Sequence, residues 1–253
     1  MNFRWRLAQF WEIRWWRWYL QDKDKGTYLQ KKSAYWQRVL AVCDLNLKGE
    51  EALLDVGCGP AGIFMILKGK PLVAIDPLLQ QYEDQLTHFD PADYPQVQFI
   101  TTALEDYQPP KQYDIIFCCN VINHVADLTK SLDQLQIWLK PGGRLILSID
   151  VHNYSLLKSV FRLIPGDILH PHQHDLMDYQ NMLMERGFSI EKTTKLKGGG
   201  IFDYYLIKAT SPFKVITSPD VNSTSNANRP CEVSYLSKWA MPLASASSLM
   251  ATT

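Results

Sequence analysis

The chain has 253 residues, 46% of them apolar and 21% charged, with 26 basic residues balancing 26 acidic ones. That composition is ordinary for a soluble globule with a real core, and the zero net charge gives no general attraction to nucleic acid, so none is expected as a partner. No stretch is apolar enough for a transmembrane segment, and Cys43, Cys58, Cys118, Cys119 and Cys231 show no metal-ligand spacing, so no metal is expected and the thiols point to a reducing, cytoplasmic setting.

Two helices are expected first. One covers about Arg4–Leu20 and contains FWEIRWWRWYL, Phe10–Leu20. The other runs from Tyr28 to Leu45, with Tyr28, Ala34, Tyr35, Val39 and Val42 at roughly helical spacing. From Ala52 the texture changes. ALLDVG, PLVAID, VQFITTA, YDIIFCC and GRLILSID are short apolar runs ending near turn formers, with the helix-like LLQQYEDQLTHF and DLTKSLDQLQIWL between them. This alternation predicts an α/β fold whose parallel sheet is covered on both faces. Asp127 reads as a helix N-cap, and KPGG at Lys140–Gly143 as a helix stop.

Beyond Asp150, YSLLKSVFRLI is expected to be helical, HPHQHD a loop, and LMDYQNMLMERGF a helix closed by Gly187. SIEKTTKL and DYYLIKA read as strands flanking a Gly198–Gly200 turn. From Thr210 the composition shifts to Ser, Thr, Asn, Ala and Pro, so residues 211–253 are expected to be a mostly disordered tail, with a docked piece at Tyr235–Trp239 as the alternative. The expected organisation is a helical cap over 1–48, a ligand-binding domain over 49–210, and that tail.

LLDVGCGPAG follows the first strand, and Gly57, Gly59 and Gly62 satisfy G-x-G-x-x-G. The pattern says that backbone must approach a ligand closely where strand becomes helix, which also fits a dinucleotide turn. Two neighbours discriminate. Pro60 lacks the N–H that would help cradle a pyrophosphate. Asp55 would repel a pyrophosphate but suits a ligand carrying an ammonium and a sulfonium. Asp76 ends the second strand, where an acid accepts hydrogen bonds from ribose hydroxyls.

Over about Ala52–Ala209 the sequence resembles the class I S-adenosylmethionine-dependent methyltransferases, with its motifs in family order: LLDVGCGPAG, LVAIDP, FITTALEDY, YDIIFCCNVINHVAD and LKPGGRLILS. The resemblance implies a doubly wound, mostly parallel seven-stranded sheet of the Rossmann-like methyltransferase fold. It also implies an N-terminal helical cap and a final hairpin that places one antiparallel strand in the sheet. The implied cofactor is S-adenosyl-L-methionine and the implied partner a small-molecule methyl acceptor. Carried over by position, Gly57, Cys58 and Gly59 pass under the methionine moiety, and Asp55 lies near its ammonium. Asp76, followed by Pro77, holds the ribose; Leu104 and Glu105 border the adenine; Asn120 and Val121 line the far methionine wall. Thr102 stands where many relatives carry an adenine-binding acid, so Thr102, Glu105 or Asp106 must substitute.

Methyl transfer from a sulfonium is an in-line displacement, so placing the nucleophile in a dry pocket is the main task and a base is needed only for a protonated acceptor. The catalytic candidates are His124, in NVINHVAD, and His172, in the His170–His174 loop; a structural role is the competing reading of each. Cys118 and Cys119 read as core. A nicotinamide-dependent oxidoreductase, and a non-catalytic module that binds a partner or membrane through its Trp/Arg helix, are the alternatives.

Arg14 and Arg17 interrupt any signal-peptide core in the opening helix. On a helical wheel Phe3, Leu7, Phe10, Trp11 and Trp18 share one side with Arg14, while Trp5, Ile13, Trp16 and Leu20 take the other. Two apolar stripes suit burial between two things better than lying on lipid. The resemblance implies that Arg4–Leu45 is a cap closing over the cofactor; an interaction surface or weak membrane-surface contact is the alternative.

Overall fold

The computed structural model describes residues 3–67, 69–152, 174–198 and 202–213. Two helices lead, α1 (Phe3–Leu20) and α2 (Lys25–Cys43). Asp24 starts α2 by accepting the Thr27 N–H at 2.8 Å, which places the helix start ahead of the expected Tyr28. Asp44, left-handed at φ 49°, ends it. The buried face is Tyr28, Trp36, Val39 and Cys43, whereas Tyr35 and Val42 of the expected face are only partly buried.

Seven strands follow: β1 (Leu53–Val56), β2 (Leu72–Ile75), β3 (Val97–Ile100), β4 (Tyr113–Cys119), β5 (Leu139–His152), β6 (Ser189–Lys197) and β7 (Phe202–Thr210). They form one sheet in the order β3-β2-β1-β4-β5-β7-β6. Strands β1 to β5 pair in parallel, and β7 runs antiparallel between β5 and β6. This is the expected doubly wound sheet with its one antiparallel strand. The winding reverses between β1 and β4, and the crevice at that switch point is where such sheets take ligands.

Side chains alternate between the two faces, as strand geometry requires. Leu53, Ile115, Phe117 and Ile146 join Ile13, Leu20, Trp36 and Tyr82, on the side of α1, α2 and α3 (Leu79–Gln85). Leu54, Ile116, Leu145 and Leu147 join Leu132, Leu135 and Leu183, on the side of α4 (Leu128–Trp138) and α5 (Leu176–Glu185). Asp127 caps α4 by accepting the Lys130 N–H at 2.9 Å, and Asp175 and Asp178 form a reciprocal capping box on α5.

Several expectations are corrected. The glycine loop leads into two 3-10 turns, Gly59–Ala61 and Ile63–Ile66, instead of a helix. Pro60 and Gly62 interrupt the segment, and α2 packs against it: Trp36 Nε1–H donates to the Ala61 carbonyl at 2.9 Å. Helix α3 stops at Gln85 because Leu86 turns extended, freeing Phe89 to pack against Phe64, Tyr82 and Phe99. KPGG is absorbed into β5. There Gly142 N–H donates to the Ser211 carbonyl at 3.2 Å, and Ser211 N–H donates to Gly143 at 2.8 Å. Ser211 is buried, so ordered packing continues past the expected domain end at residue 210. The expected helix over 154–164, the His170–His172 segment, the centre of the Gly198–Gly200 turn and the chain from 214 onward, with Tyr235–Trp239, lie outside the described residues.

Half of the expected wheel division of α1 is seen. Ile13 and Leu20 are buried on the domain and Trp16 is partly buried, while Phe10, Trp11, Trp15 and Trp18 are exposed. The Phe3 and Trp5 side chains lie outside the description.

Trp36→Phe keeps an aromatic ring but orphans the Ala61 carbonyl, so it should lower stability by about 1–3 kcal/mol, read as a lower urea midpoint at unchanged slope. An unchanged midpoint would mean that this bond does not tie α2 to the glycine loop.

Candidate active site

A cavity of about 1060 Å³ lies at the carboxyl ends of the parallel strands. Each strand contributes to its wall in sheet order. Thr102, Leu104 and Glu105 follow β3; Asp76 and Pro77 follow β2; Asp55, Gly57, Cys58 and Gly59 come from β1 and its loop; Cys119, Asn120, Val121 and His124 come from β4 and its loop. Ser148 and Asp150 of β5 and Tyr204 of β7 continue it. Glu12 and Trp16 of α1 and Lys32, Tyr35 and Trp36 of α2 complete it.

The loop that crosses this cavity is shaped by two left-handed glycines. Gly57 sits at φ 60°, where a Cβ would stand 2.3 Å from Val121 Cγ2. Gly59 sits at φ 58°, and a Cβ there meets nothing within 4 Å. The first glycine is needed for contact with the β4 loop. The second leaves bare backbone beside open space.

Three carboxyl groups converge on this loop. Asp55 is buried and accepts the Phe64 N–H at 3.4 Å. Loss of hydration, with Asp76 adding, pushes it up to about 8. Asp76 accepts Leu78 N–H on Oδ1 at 2.9 Å and Gly59 N–H on Oδ2 at 3.0 Å. Burial still raises it to about 6, because those two donors only partly replace water. The third is Glu12 of α1, which the sequence reading missed. Burial first, then the Asp76 charge, raises it to about 7. The Tyr82 hydroxyl donates to Glu12 Oε1 at 3.5 Å and is also a hydrogen-bond partner of Asp76. Glu12 is the single acid of α1, and a lone acid among tryptophans and arginines was the only signal that FWEIRWWRWYL offered.

The ten expected cofactor residues all lie on this one wall, but not all offer their side chains. Glu105 Oε1 accepts the N–H groups of Ala126 at 2.6 Å and Asp127 at 3.4 Å, so it ties the β3 loop to the start of α4. Asp106 is off the cavity wall, whereas Thr102 lines it and donates its hydroxyl to the Ala103 carbonyl at 3.2 Å. Asn120 is left-handed at φ 61°, its N–H donating to the Ser148 carbonyl at 3.2 Å. Cys118 is core, but Cys119 lines the cavity, against expectation, because alternation along β4 turns successive side chains to opposite faces.

Of the catalytic candidates, His124 is half-buried on the wall and His172 lies outside the described residues. His174 is off the wall; its ring meets Tyr179 edge-on at 5.6 Å, and Nδ1 lies 3.8 Å from Asp178. The β5–β7 side holds residues no motif had marked. Burial pushes the Tyr35 hydroxyl up to about 12, with Cys119, Asp150 and Tyr204 adding to it, so these groups share one environment. Burial also lowers Lys32.

This arrangement suits a cationic nucleoside. Bare glycine backbone gives close approach, Asp76 keeps lone pairs for ribose hydroxyls, and buried acids favour positive charge. A diphosphate would meet those acids and, after Gly62, no helix N-terminus. The fold and crevice thus define a Rossmann-like domain with an acidic, glycine-lined crevice at the ends of its strands. Residues 54–145 match the family model described as a methyltransferase domain. The match makes that stretch a methyltransferase domain.

The ubiquinone biosynthesis O-methyltransferase of Nitrobacter winogradskyi is 32% identical over 107 residues, which is 41% of this chain and 40% of that protein. The chain spans less than half the length of the curated relatives it matches, 38% to 48% in the first eight. Among solved structures, the N-methyltransferase NodS from Bradyrhizobium japonicum aligns with TM-score 0.53 at 14% identity, over 75% of this chain and 99% of NodS. The [4+2]-cyclase SpnF aligns with TM-score 0.54 at 15% identity, over 72% of this chain and 81% of SpnF. These structural likenesses show the fold alone, and a cyclase among them shows that fold does not decide reaction. Neither the nicotinamide reading nor the non-catalytic one is favoured by the matches.

The raised carboxyls set a pH dependence. In the native protein Glu12, Asp76 and Asp55 keep protons that the unfolded chain releases near its ordinary carboxyl values. Unfolding therefore releases protons, and stability of the ligand-free chain should fall as pH rises from about 5 to 8. A ligand that favours the ionised acids should bind more tightly over the same window and release protons on binding. Calorimetry with S-adenosylhomocysteine in buffers of different ionisation enthalpy reads both; an affinity independent of pH would show that these acids do not face the ligand.

Proposed function

We propose that this chain transfers a methyl group from S-adenosylmethionine to a small, largely apolar acceptor. The observation that carries the reading is one continuous cavity with two chemically distinct parts. Asp55, the glycine loop and Asp76 sit at the β1–β2 side, while Tyr35, Trp36, Asp150 and Tyr204 sit toward β5 and β7. Its volume, about 1060 Å³, exceeds the usual room for one small ligand, roughly 300–1,000 Å³, so it suits a donor and an acceptor together.

On this reading Asp76, with Pro77 beside it, takes the ribose hydroxyls and Asp55 faces the ammonium. Gly57, Cys58 and Gly59 underlie the methionine moiety. Leu104 and the Glu105 backbone border the adenine, with Thr102 in place of the usual acid, and Asn120 and Val121 close the methionine wall. Bound there, S-adenosylmethionine supplies a methyl group activated by its sulfonium. The chain's own residues then orient and dehydrate. Trp16, Trp36 and Tyr35 wall the acceptor side, with α1 and α2, residues 1–48, as the cap. His124 is our assignment for the base that takes a proton from an acidic acceptor. The O-methyltransferase name of the relatives makes oxygen the first acceptor atom to try. The free thiols of Cys43, Cys58, Cys118 and Cys119 support a cytoplasmic location.

S-adenosylhomocysteine at a hundred times its dissociation constant should stabilise the chain by about 2.7 kcal/mol in a melt, and NAD should not. Labelled methyl transfer from S-adenosylmethionine to a panel of phenols and amines tests the reaction. Asp76→Asn should weaken cofactor binding at least about tenfold. His124→Ala should lower kcat by about 100-fold or more with binding unchanged. Stabilisation by NAD in place of S-adenosylhomocysteine would overturn the reading.

A further inference from the structure

Among the described residues, the outer face of α1 gathers four exposed aromatic side chains. Phe10 is 49% exposed, Trp11 52%, Trp15 48% and Trp18 65%. At helical spacing these four fall in one arc with the exposed Arg14 and Arg17, opposite the buried Ile13 and Leu20. The arc is built for both apolar and anionic contact. The Arg14 guanidinium lies 4.9 Å from the Phe10 ring centroid, and Trp15 stacks on Tyr19 at 4.8 Å. Helix α1 carries four arginines, and its one acid, Glu12, is turned inward toward Asp76 and Tyr82. Beside the arc is a second cavity of about 500 Å³, lined by Arg14, Arg17, Trp18, Gln21 and Thr87 among others. Two guanidiniums and a hydroxyl around an open recess suit a phosphate.

We propose that α1 docks this chain on an anionic phospholipid surface, with Phe10, Trp11, Trp15 and Trp18 in the headgroup layer and a lipid phosphate between Arg14 and Arg17. Indole rings favour the interface between water and hydrocarbon, and arginines are drawn to the negative surface potential of anionic lipids. The consequence rests on the methyl-transfer reading. Trp11, Arg14, Trp15 and Trp18 also line the large cavity, so the docked face holds its mouth, and the acceptor is an amphiphile drawn from the lipid layer. The second stripe of α1, which the wheel alone assigned to burial, thus has a surface to cover it.

The test is flotation of the full chain with phosphatidylcholine vesicles, with and without phosphatidylglycerol, without cofactor. The chain should float with the anionic vesicles, release as salt rises, and shift its Trp emission to the blue. Phe10 and Arg17 do not line the large cavity, so Phe10→Ser/Arg17→Glu should cut vesicle affinity by at least about tenfold while leaving the melting shift with S-adenosylhomocysteine intact. That melting shift and methyl transfer to a soluble acceptor report on the active site separately, so either reading can fail alone. Absence of flotation, equal binding to neutral vesicles, or flotation untouched by the double variant would overturn the proposal. A concentration-dependent dimer abolished by Phe10→Ser, with vesicles ignored, would overturn it in favour of a second copy of the chain.

Discussion

Three carboxyl groups, Asp55, Asp76 and Glu12, meet in a crevice that holds them away from water, and lost hydration raises all three above the ordinary carboxyl range, with the Asp76 charge adding at Asp55 and Glu12. Backbone donors answer only part of that cost. Leu78 and Gly59 serve Asp76, Phe64 serves Asp55, and the Tyr82 hydroxyl stands between Asp76 and Glu12. A buried acid without enough donors keeps its proton or finds a cation. A ligand with an ammonium, a sulfonium and two ribose hydroxyls supplies what this group of acids lacks, and an anionic diphosphate does not.

That crevice exists because of the sheet's winding order. β2, β1 and β4 bring Asp76, the glycine loop and Asn120 side by side, and β5 and β7 extend the same wall toward Asp150 and Tyr204. The 3-10 turns after β1 keep the loop short, and α2 fills the space beside it through Trp36. Gly57 against Val121 then holds the loop close to the segment after β4.

Helix α1 joins this frame to the outside. Its inner stripe, Ile13 and Leu20, is packed on the core, and Glu12 and Trp16 reach the cavity. Its outer stripe remains in water. One helix thereby lines the cavity with Glu12 and Trp16 and keeps Phe10 and Arg17 on the exposed side.

Much of this was legible in the order of residues. Strand runs such as YDIIFCC and caps such as Asp127 are local signals, because propensity and side-chain alternation act within a few residues. The glycine spacing with Asp55 and Asp76 is likewise local in sequence, and it named the class of ligand before any packing was known. The inward turn of Glu12, the capping role of Glu105 and the grouping of Tyr35, Asp150 and Tyr204 on one part of the cavity wall were not legible. Each depends on which distant segment lies opposite. Glu105 meets Ala126, and Tyr35 of α2 meets β4, β5 and β7, across separations that no periodicity encodes. The same holds for α1, whose two apolar stripes are equal on a wheel. The sequence by itself determined the strands, the glycine loop and its acids. Only the tertiary structure decided which stripe is buried and which acid faces inward, because burial depends on long-range packing.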